Sequence, residues 1–482
     1  MNQAVQIAVD RSDKASLAGQ IHRGIAAAIR EGRLSPGARL PSWQDLATQL
    51  GVARGTVRVA YERLADEQLV LSAGPAGTHV AEHPVIPPKP DWQSDRAPLA
   101  GMFPDYAAPP AAFQMGVPAQ DAFPVKLWSR IMVRAARSAA AAPVSYPDPR
   151  GDPGLRHEIA AYLAIARGIA CQPPQVIVTS GYAGALGLAI RALELENTTA
   201  WMEEPGFPIT RAALKLARIA PIPVRVDAEG LDVADGVATA PDAALAIVTA
   251  GQQAPLGMTL SLARRRAFLA WAGRSGAWII EDDYLSELQL RGRAAPALAS
   301  LDTAGRVIHI GSFSKTISPA LRLGFLVAPP SLAAHFGEVA ACLSPAPGPA
   351  VQRAVTEFMR DGHYLRHLRR MKRLYAVRRD ALVAQLREGM QDCGTIELAM
   401  GLGVLLRLPE TLSDVDLAAR ALPYGLAPVP LSLFHAVPGI GQAGLLLGVS
   451  NISLRTVAAS CARLERLVRQ QRMSRHQYDA DP

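Results

Sequence analysis

Cysteine is scarce in this chain of 482 residues: four, at Cys171, Cys342, Cys393 and Cys461, with no CxxC pair among them. Such scatter argues against a disulfide framework or a zinc site and suits a reducing cytoplasm. Long apolar runs are missing too. None approaches the ~18–20 residues needed to span a bilayer, so no membrane association is expected. The opening MNQAVQIAVDRSDK has charges on both sides of a short apolar patch and no extended apolar core, unlike a secretory signal. No internal repeat is present. Apolar residues as a whole are not short, at 49%, which excludes gross disorder. A single core stops growing near ~250–300 residues, so the length demands at least two domains. Lys and Arg outnumber Asp and Glu by 50 to 42, a net +8. That excess fits a polyanion partner, and fits an ordinary basic soluble protein equally well.

Composition breaks once along the chain. Residues 83–110 hold eight prolines, which remove backbone donors and disfavour helix. The stretch predicts a semi-rigid linker over 83–112, between a small domain, 1–82, and a large one, 113–482. In the small domain Ile21, Ile25 and Ile29 recur every four residues, the stripe of an amphipathic helix. Residues 34–41 read as a turn with Ser42 as N-cap. Leu46, Ala47 and Leu50 mark a second helix closed by Gly51. A third follows, with Val57, Ala60 and Leu64 inward, then two short strands, 68–71 and 78–81, around a glycine-bearing turn. Helix, helix, three-residue turn, helix and hairpin form a winged helix-turn-helix pattern.

Arg54, Thr56 and Arg58 open the third helix on its polar side, where arginine offers a fork to guanine and a charge to phosphate. Arg39 and Ser42, beside the second helix, and Gly77, Thr78 and His79, at the wing, complete the expected contacts to double-stranded DNA. The alternative for any one of these arginines is a solvated face. SWQDLATQLGVARGTVRVAYERLADEQLV resembles the GntR-type winged helix over about 65 residues. Two departures stand out: Ala53 where the family often has a capping serine, and Gly55 where asparagine is frequent.

The large domain alternates short apolar strands, at 175–179, 200–203, 246–249, 278–281, 307–310 and 324–327, with helical stretches. This predicts an α/β fold with a mainly parallel sheet, whose sites lie beyond the carboxyl ends of the strands. Three motifs fall there. Gly181 and Tyr182 sit in a small-residue turn that opens a helix and suits an anion. Glu281-Asp282-Asp283-Tyr284 crowds three acids at a strand end, where they repel unless a cation is present; the alternative is a solvated acidic loop. Lys315 follows Gly311-Ser312-Phe313-Ser314, with Arg322 seven residues on. Together they suggest one ligand with an aldehyde, a protonatable ring nitrogen and a phosphate: pyridoxal 5′-phosphate. Lys315 is then the Schiff-base lysine, Asp282 the partner of the ring nitrogen and Tyr284 that of the ring hydroxyl. Ser312, Arg322 and the backbone of Gly181 and Tyr182 hold the phosphate. Phe207 is either core or stacked near the ring.

GVPAQDAFPVKLWSRIM, EEPGFP, EDDYLSEL and DTAGRVIHIGSFSKTISPALRLGF resemble fold-type I aminotransferases, and the join to a GntR-type winged helix resembles the MocR/GabR regulators. The resemblance assigns the ring nitrogen to Asp282, with Asp283 as the fallback. It also implies a head-to-tail homodimer, an operator, and a small-molecule effector, either an amine or the cofactor itself. Departures bear on chemistry. Ala254 replaces the asparagine that aminotransferases set against the ring hydroxyl, leaving Tyr284 or Gln253 to act there. Leu446 stands at the position of the arginine that clamps a substrate carboxylate, and Ile209 replaces a polar or basic residue. A desolvated carboxylate without its cation is strongly disfavoured, so efficient transamination is not expected. The reading is a pyridoxal-phosphate-dependent transcription regulator. Its rivals are an active aminotransferase carrying a DNA-binding module and a cofactor-free scaffold. His363, His367 and the arginines at 366–373 read as a solvated or dimer-facing surface, and Trp201, Trp271 and Trp278 as core.

Overall fold

The computed structural model describes residues 7, 9–13, 15–72, 74, 77–82, 84, 110–141, 145–290, 294–390, 394–397, 401–437 and 441–478. The chain divides into two compact units, Met1–Gly101 and Met102–Pro482. The expected linker lies almost entirely outside the described residues, as does Cys393.

In the first unit, α1 (Leu17–Arg30) buries Ile21, Ile25 and Ile29, and Ser16 caps it by accepting from Gly19 N. Ser42 caps α2 (Trp43–Leu50), which stops at Gly51 in a left-handed conformation, φ 62°. α3 (Arg54–Asp66) starts at Ala53, which gives no side-chain cap. β1 (Val70–Ser72) and β2 (Thr78–Val80) pair antiparallel with Val70 opposite Val80. The first strand begins two residues later than expected because Gln68 turns the chain at φ 56°. Ile21, Ile25, Leu46, Val57, Leu64, Leu69 and Val80 close a core of their own.

The second unit opens with α4 (Val125–Ala140) and α5 (Pro153–Ala166). Its main sheet contains β3 (Val176–Thr179), β4 (Thr199–Glu204), β5 (Ala220–Asp227), β6 (Gly230–Leu231), β7 (Leu245–Val248), β8 (Trp278–Asp283), β9 (Val307–Ser312) and β10 (Gly324–Val327). The order is β3-β10-β9-β8-β7-β4-β5-β6. The run from β9 through β8, β7 and β4 to β5 is parallel. β10 is antiparallel to both neighbours, and β6 to β5. Intervening helices are α6 (Tyr182–Ala192), α7 (Pro208–Leu216), α8 (Val233–Thr239) and α9 (Leu262–Ser275). All six expected strands form. β3, β7 and β10 are buried throughout, as parallel-type sheets covered on both faces require. Trp201 and Trp271 stack in the core at 3.8 Å, whereas Trp278 is half-buried beneath Arg306.

After α10 (Ala333–Leu343) and α11 (Pro349–Arg360), the 27-residue α12 (His363–Gly389) leads into a smaller sheet. That sheet holds β11 (Thr395–Glu397), β12 (Gly403–Arg407), β13 (Val429–Pro430) and β14 (Gly444–Gly448), all antiparallel, with α13 (Asp414–Ala421) and α14 (Val457–Tyr478). Sequence reasoning missed it. β12 and β14 are buried leucine runs without alternation, a pattern that a helix shares.

Candidate functional site

The carboxyl ends of β4, β7, β8 and β9 converge on one edge of the main sheet. β8 ends in Glu281-Asp282-Asp283, whose side chains alternate in direction. Glu281 accepts from Leu298 N (2.6 Å) and Ala299 N (3.0 Å) and pairs with His309 Nδ1 at 3.0 Å. Burial raises its pKa, but His309 first and those N–H groups next outweigh it and hold the carboxyl at about 2. Asp283 pairs with Arg167 Nε at 2.6 Å, both buried. The expected repulsion is therefore answered by fixed partners for two of the three acids.

Asp282 faces elsewhere. It lines a cleft with Tyr182, Glu203, Phe207, Thr210 and Thr249. Burial pushes its carboxyl well above the usual range, Asp283 and Glu203 add to this, and Lys315 opposes it. Of the two aspartates considered for a cation, Asp282 is the one in the cleft. Lys315 donates from Nζ to Gly116 O at 3.1 Å. Burial depresses its pKa, with Asp282 opposing. Gly116 has φ 82°, and a Cβ there would lie 2.6 Å from Nζ, so the contact needs glycine.

Strand register assembles the expected phosphate residues. Gly324 is opposite Thr179 on one side and Ser312 on the other, so the ends of β3 and β9 and the start of β10 share a row. A Cβ on Gly324 would come within 3.0 Å of Gly181 Cα. Gly181 (φ 81°) precedes α6, whose first turn begins at Tyr182. Ser312 Oγ accepts from Ser314 N at 3.2 Å. Arg322, left-handed at φ 47° and exposed, comes two residues before Gly324. Tyr284 is half-buried just past β8, and burial, then Asp282, holds its hydroxyl protonated.

Some expectations need correction. Gln253 is buried; its amide nitrogen donates to Pro205 O and Ala254 O and its oxygen accepts from Leu256 N, so the amide is committed to its own loop and the one after β4. His367 is no surface residue: it is buried and bonded to Thr316 O at 2.9 Å. Phe207 lines the cleft and packs, partly buried, against the cluster of Leu405, Leu431, Phe434 and Leu446. Leu446, the residue expected where a clamp arginine would stand, is buried in that cluster. Arg211, two residues past Ile209, commits its guanidinium to Phe434 O (2.7 Å), His435 O (2.9 Å) and Glu204 (3.3 Å). Sequence reading missed Glu203, Thr249, Thr210 and Gly116. Glu203 carried the same signal as Asp282, an acid at the end of a buried strand. It accepts from Thr249 N (3.2 Å) and Thr249 Oγ1 (2.5 Å), and burial lifts its carboxyl to about 7 against those bonds.

In the first unit Arg54 and Arg58 are exposed on α3, with Arg58 paired to Glu62 at 3.2 Å, and Thr56 is half-buried. Ser42 Oγ donates to Asp45 (2.7 Å) and accepts from its N–H, so this hydroxyl serves the cap. Arg39 lies over the wing: a Cβ on Gly77 would meet its Nε at 3.0 Å, and Arg39 bridges to His79 in β2, next to Thr78. Among the described residues no helix is long and apolar enough to cross a membrane, and no His/Cys/Asp/Glu cluster is suited to a metal ion.

These features define a winged-helix DNA-binding module joined in one chain to an aminotransferase-type unit. Residues 17–80 match the bacterial regulatory proteins of the gntR family, and residues 124–442 match aminotransferase class I and II. The probable rhizopine catabolism regulatory protein MocR of Rhizobium meliloti is 35% identical over 468 residues, 94% of this chain and 93% of that one. The HTH-type transcriptional regulator TauR of Rhodobacter capsulatus is 32% identical, covering 94% and 97%. The HTH-type pyridoxine biosynthesis transcriptional regulator PdxR of Corynebacterium glutamicum is 33% identical, covering 86% and 89%. Among solved structures, the α-aminoadipate aminotransferase LysN of Thermus thermophilus, complexed with N-(5′-phosphopyridoxyl)-L-leucine, is 26% identical with a TM-score of 0.67, covering 74% of this chain and 92% of that one. An archaeal alanine:glyoxylate aminotransferase, 23% identical with a TM-score of 0.69 and covering 76% and 92%, has the same fold. The chain belongs to the MocR-type group of the GntR family of HTH-type transcriptional regulators.

Proposed function

We propose that this regulator holds pyridoxal 5′-phosphate at Lys315 and that a small molecule entering the cleft of its aminotransferase-like unit alters how its winged helix binds an operator. The observation that carries the reading is the half-buried Lys315 amine, which donates to Gly116 O at 3.1 Å and is depressed in pKa by desolvation, with the cleft carboxylate Asp282 opposing that shift. Pyridoxal 5′-phosphate, when bound, supplies an aldehyde that condenses with an amine and a ring nitrogen that accepts a proton. The residues present fit it. Burial leaves more of the Lys315 amine uncharged and nucleophilic. Asp282 is a buried carboxyl in want of a cation, and keeps a proton on the ring nitrogen. Tyr284 serves the ring hydroxyl, and Phe207 lies along the ring. The N–H groups of Gly181 and Tyr182, with Ser312 and Arg322, take the phosphate.

The effector is an amine or the cofactor itself. An apolar Leu446 disfavours a ligand whose carboxylate needs a clamp, and this weighs against the rival reading of a working aminotransferase. An effector shifts DNA binding only through its different affinity for the two binding states. On the DNA side, Arg54, Thr56 and Arg58 meet the major groove. Arg39, Gly77, Thr78 and His79 meet the backbone or minor groove, and Ser42 does so only by leaving its cap. A head-to-tail homodimer presents two such modules to a two-part operator. Absorption spectroscopy of the purified chain tests the reading. A visible band lost in Lys315→Ala supports it, and a chain that stays colourless after incubation with pyridoxal 5′-phosphate overturns it. Arg54→Ala should weaken binding to the chain's own upstream DNA, and unchanged affinity would remove the recognition-helix assignment.

A further inference from the structure

The first part of α12 carries a row of arginines whose charge the proposed site does not employ. Residues 363–379 contain seven Arg or Lys and no Asp or Glu, in a chain whose whole excess is +8. Helical spacing sorts these cations. Tyr364, His367, Leu368, Met371 and Tyr375 face the core. Arg366, Arg369, Arg370 and Arg373 fall on the opposite side, all exposed, and line one open groove.

Two arginines further along the helix are neutralised: Arg378 pairs with Asp121 and Arg379 with Asp380. The four groove arginines are treated differently. Arg366 donates to Asp361 O and His363 Nδ1, which leave its charge unbalanced. Among the described residues no ion pair joins Arg366, Arg369, Arg370 or Arg373 to a carboxylate. Like charges three and four positions apart work against the helix, so the row is unfavourable for the folded chain alone.

We propose that this arginine row is a second DNA-contacting surface, which binds the phosphate backbone of a duplex without reading its bases. From Arg366 to Arg373 the helix advances about 10 Å, and about 10 Å of duplex presents about six phosphates. Guanidinium groups pair with phosphate in a fork, and an open groove admits a cylinder of charge. DNA is the polyanion that the chain's own winged helix brings within reach, since a duplex held by one unit is at high effective concentration for the other. The proposal rests on the regulator reading above.

The test uses full-length protein and a long random-sequence duplex, with affinity followed by fluorescence anisotropy across a range of KCl. Three proteins are compared with wild type: the combined Arg366→Gln, Arg369→Gln, Arg370→Gln, Arg373→Gln variant, the corresponding fourfold lysine variant, and Arg54→Ala. The slope of log affinity against log salt should become shallower by about 0.9 for every phosphate no longer neutralised, so by about 3 to 4 in the glutamine variant. The lysine variant should keep most of the slope, and circular dichroism should report an unchanged fold in both. If the glutamine variant keeps the wild-type slope while Arg54→Ala weakens binding, the row is not a DNA surface and the regulator reading stands. A glutamine variant with normal DNA binding but an altered sedimentation coefficient makes the row a contact between copies of the chain and overturns the proposal. No DNA binding by the wild type removes both readings.

Discussion

Arg167 and Asp283 sit at 2.6 Å from each other, with side chains 2% and 3% exposed. A buried pair of this kind adds little over a well-packed apolar pair, but removal of one partner strands a charge in a dry interior. Arg167→Met should therefore destabilise the large unit by about 3–5 kcal/mol in chemical denaturation. Arg167→Met combined with Asp283→Leu should regain most of that loss. A single variant as stable as wild type would show that the pair has no such weight. Glu203 gives the other test at this scale. Its carboxyl lies at about 7 in the fold against an ordinary 4.5, so the folded chain binds its proton more tightly. The stability it contributes is complete below pH 4.5 and is lost as pH rises through about 7. The size of the effect is on the order of 3 kcal/mol. Melting temperatures of wild type should fall over that window more steeply than those of Glu203→Gln, and parallel curves would sink the assignment.

Among the elements, α3 begins without the side-chain cap that Ser16 gives α1 and Ser42 gives α2. Ala53→Ser supplies an acceptor for the free N–H groups of its first turn and should stabilise the small unit by about 1 kcal/mol. The check is a raised denaturation midpoint with unchanged steepness. The cap was legible beforehand because caps, four-residue stripes and glycine stops are local, and α1, α2 and α3 follow from them almost residue by residue. Strands of the main sheet were legible for a related reason: each is a short apolar run ending in polar or small residues. Their order was not. Nothing local says that Gly324 lies between Thr179 and Ser312, yet that register draws the anion-type residues to one edge. The same limit explains Glu203, whose place beside Asp282 depends on β4 lying next to β7 and β7 next to β8. It also explains His367, read as surface from its arginine neighbours although its own turn of α12 faces the core.

Across the whole molecule the two units own separate apolar cores. One is built only from residues 7–80, and the others only from residues 112–468. A domain with its own core unfolds as its own cooperative step. Calorimetry of the full chain should accordingly resolve two transitions that respond to different ligands. A ligand stabilises whatever it binds in proportion to the logarithm of its concentration over Kd, about 2.7 kcal/mol at a hundredfold excess. Pyridoxal 5′-phosphate should then raise only the transition of the large unit, and Lys315→Ala should abolish that rise. Duplex DNA should raise the transition of the small unit. If the arginine row on α12 also holds the duplex, DNA should raise both, and the fourfold glutamine variant should confine the effect to the small unit again. One merged transition, shifted equally by either ligand in every variant, would mean that the units fold as a single cooperative body. Coupling between cofactor and operator would then need no effector-driven change in either unit, because each ligand would stabilise the structure the other binds.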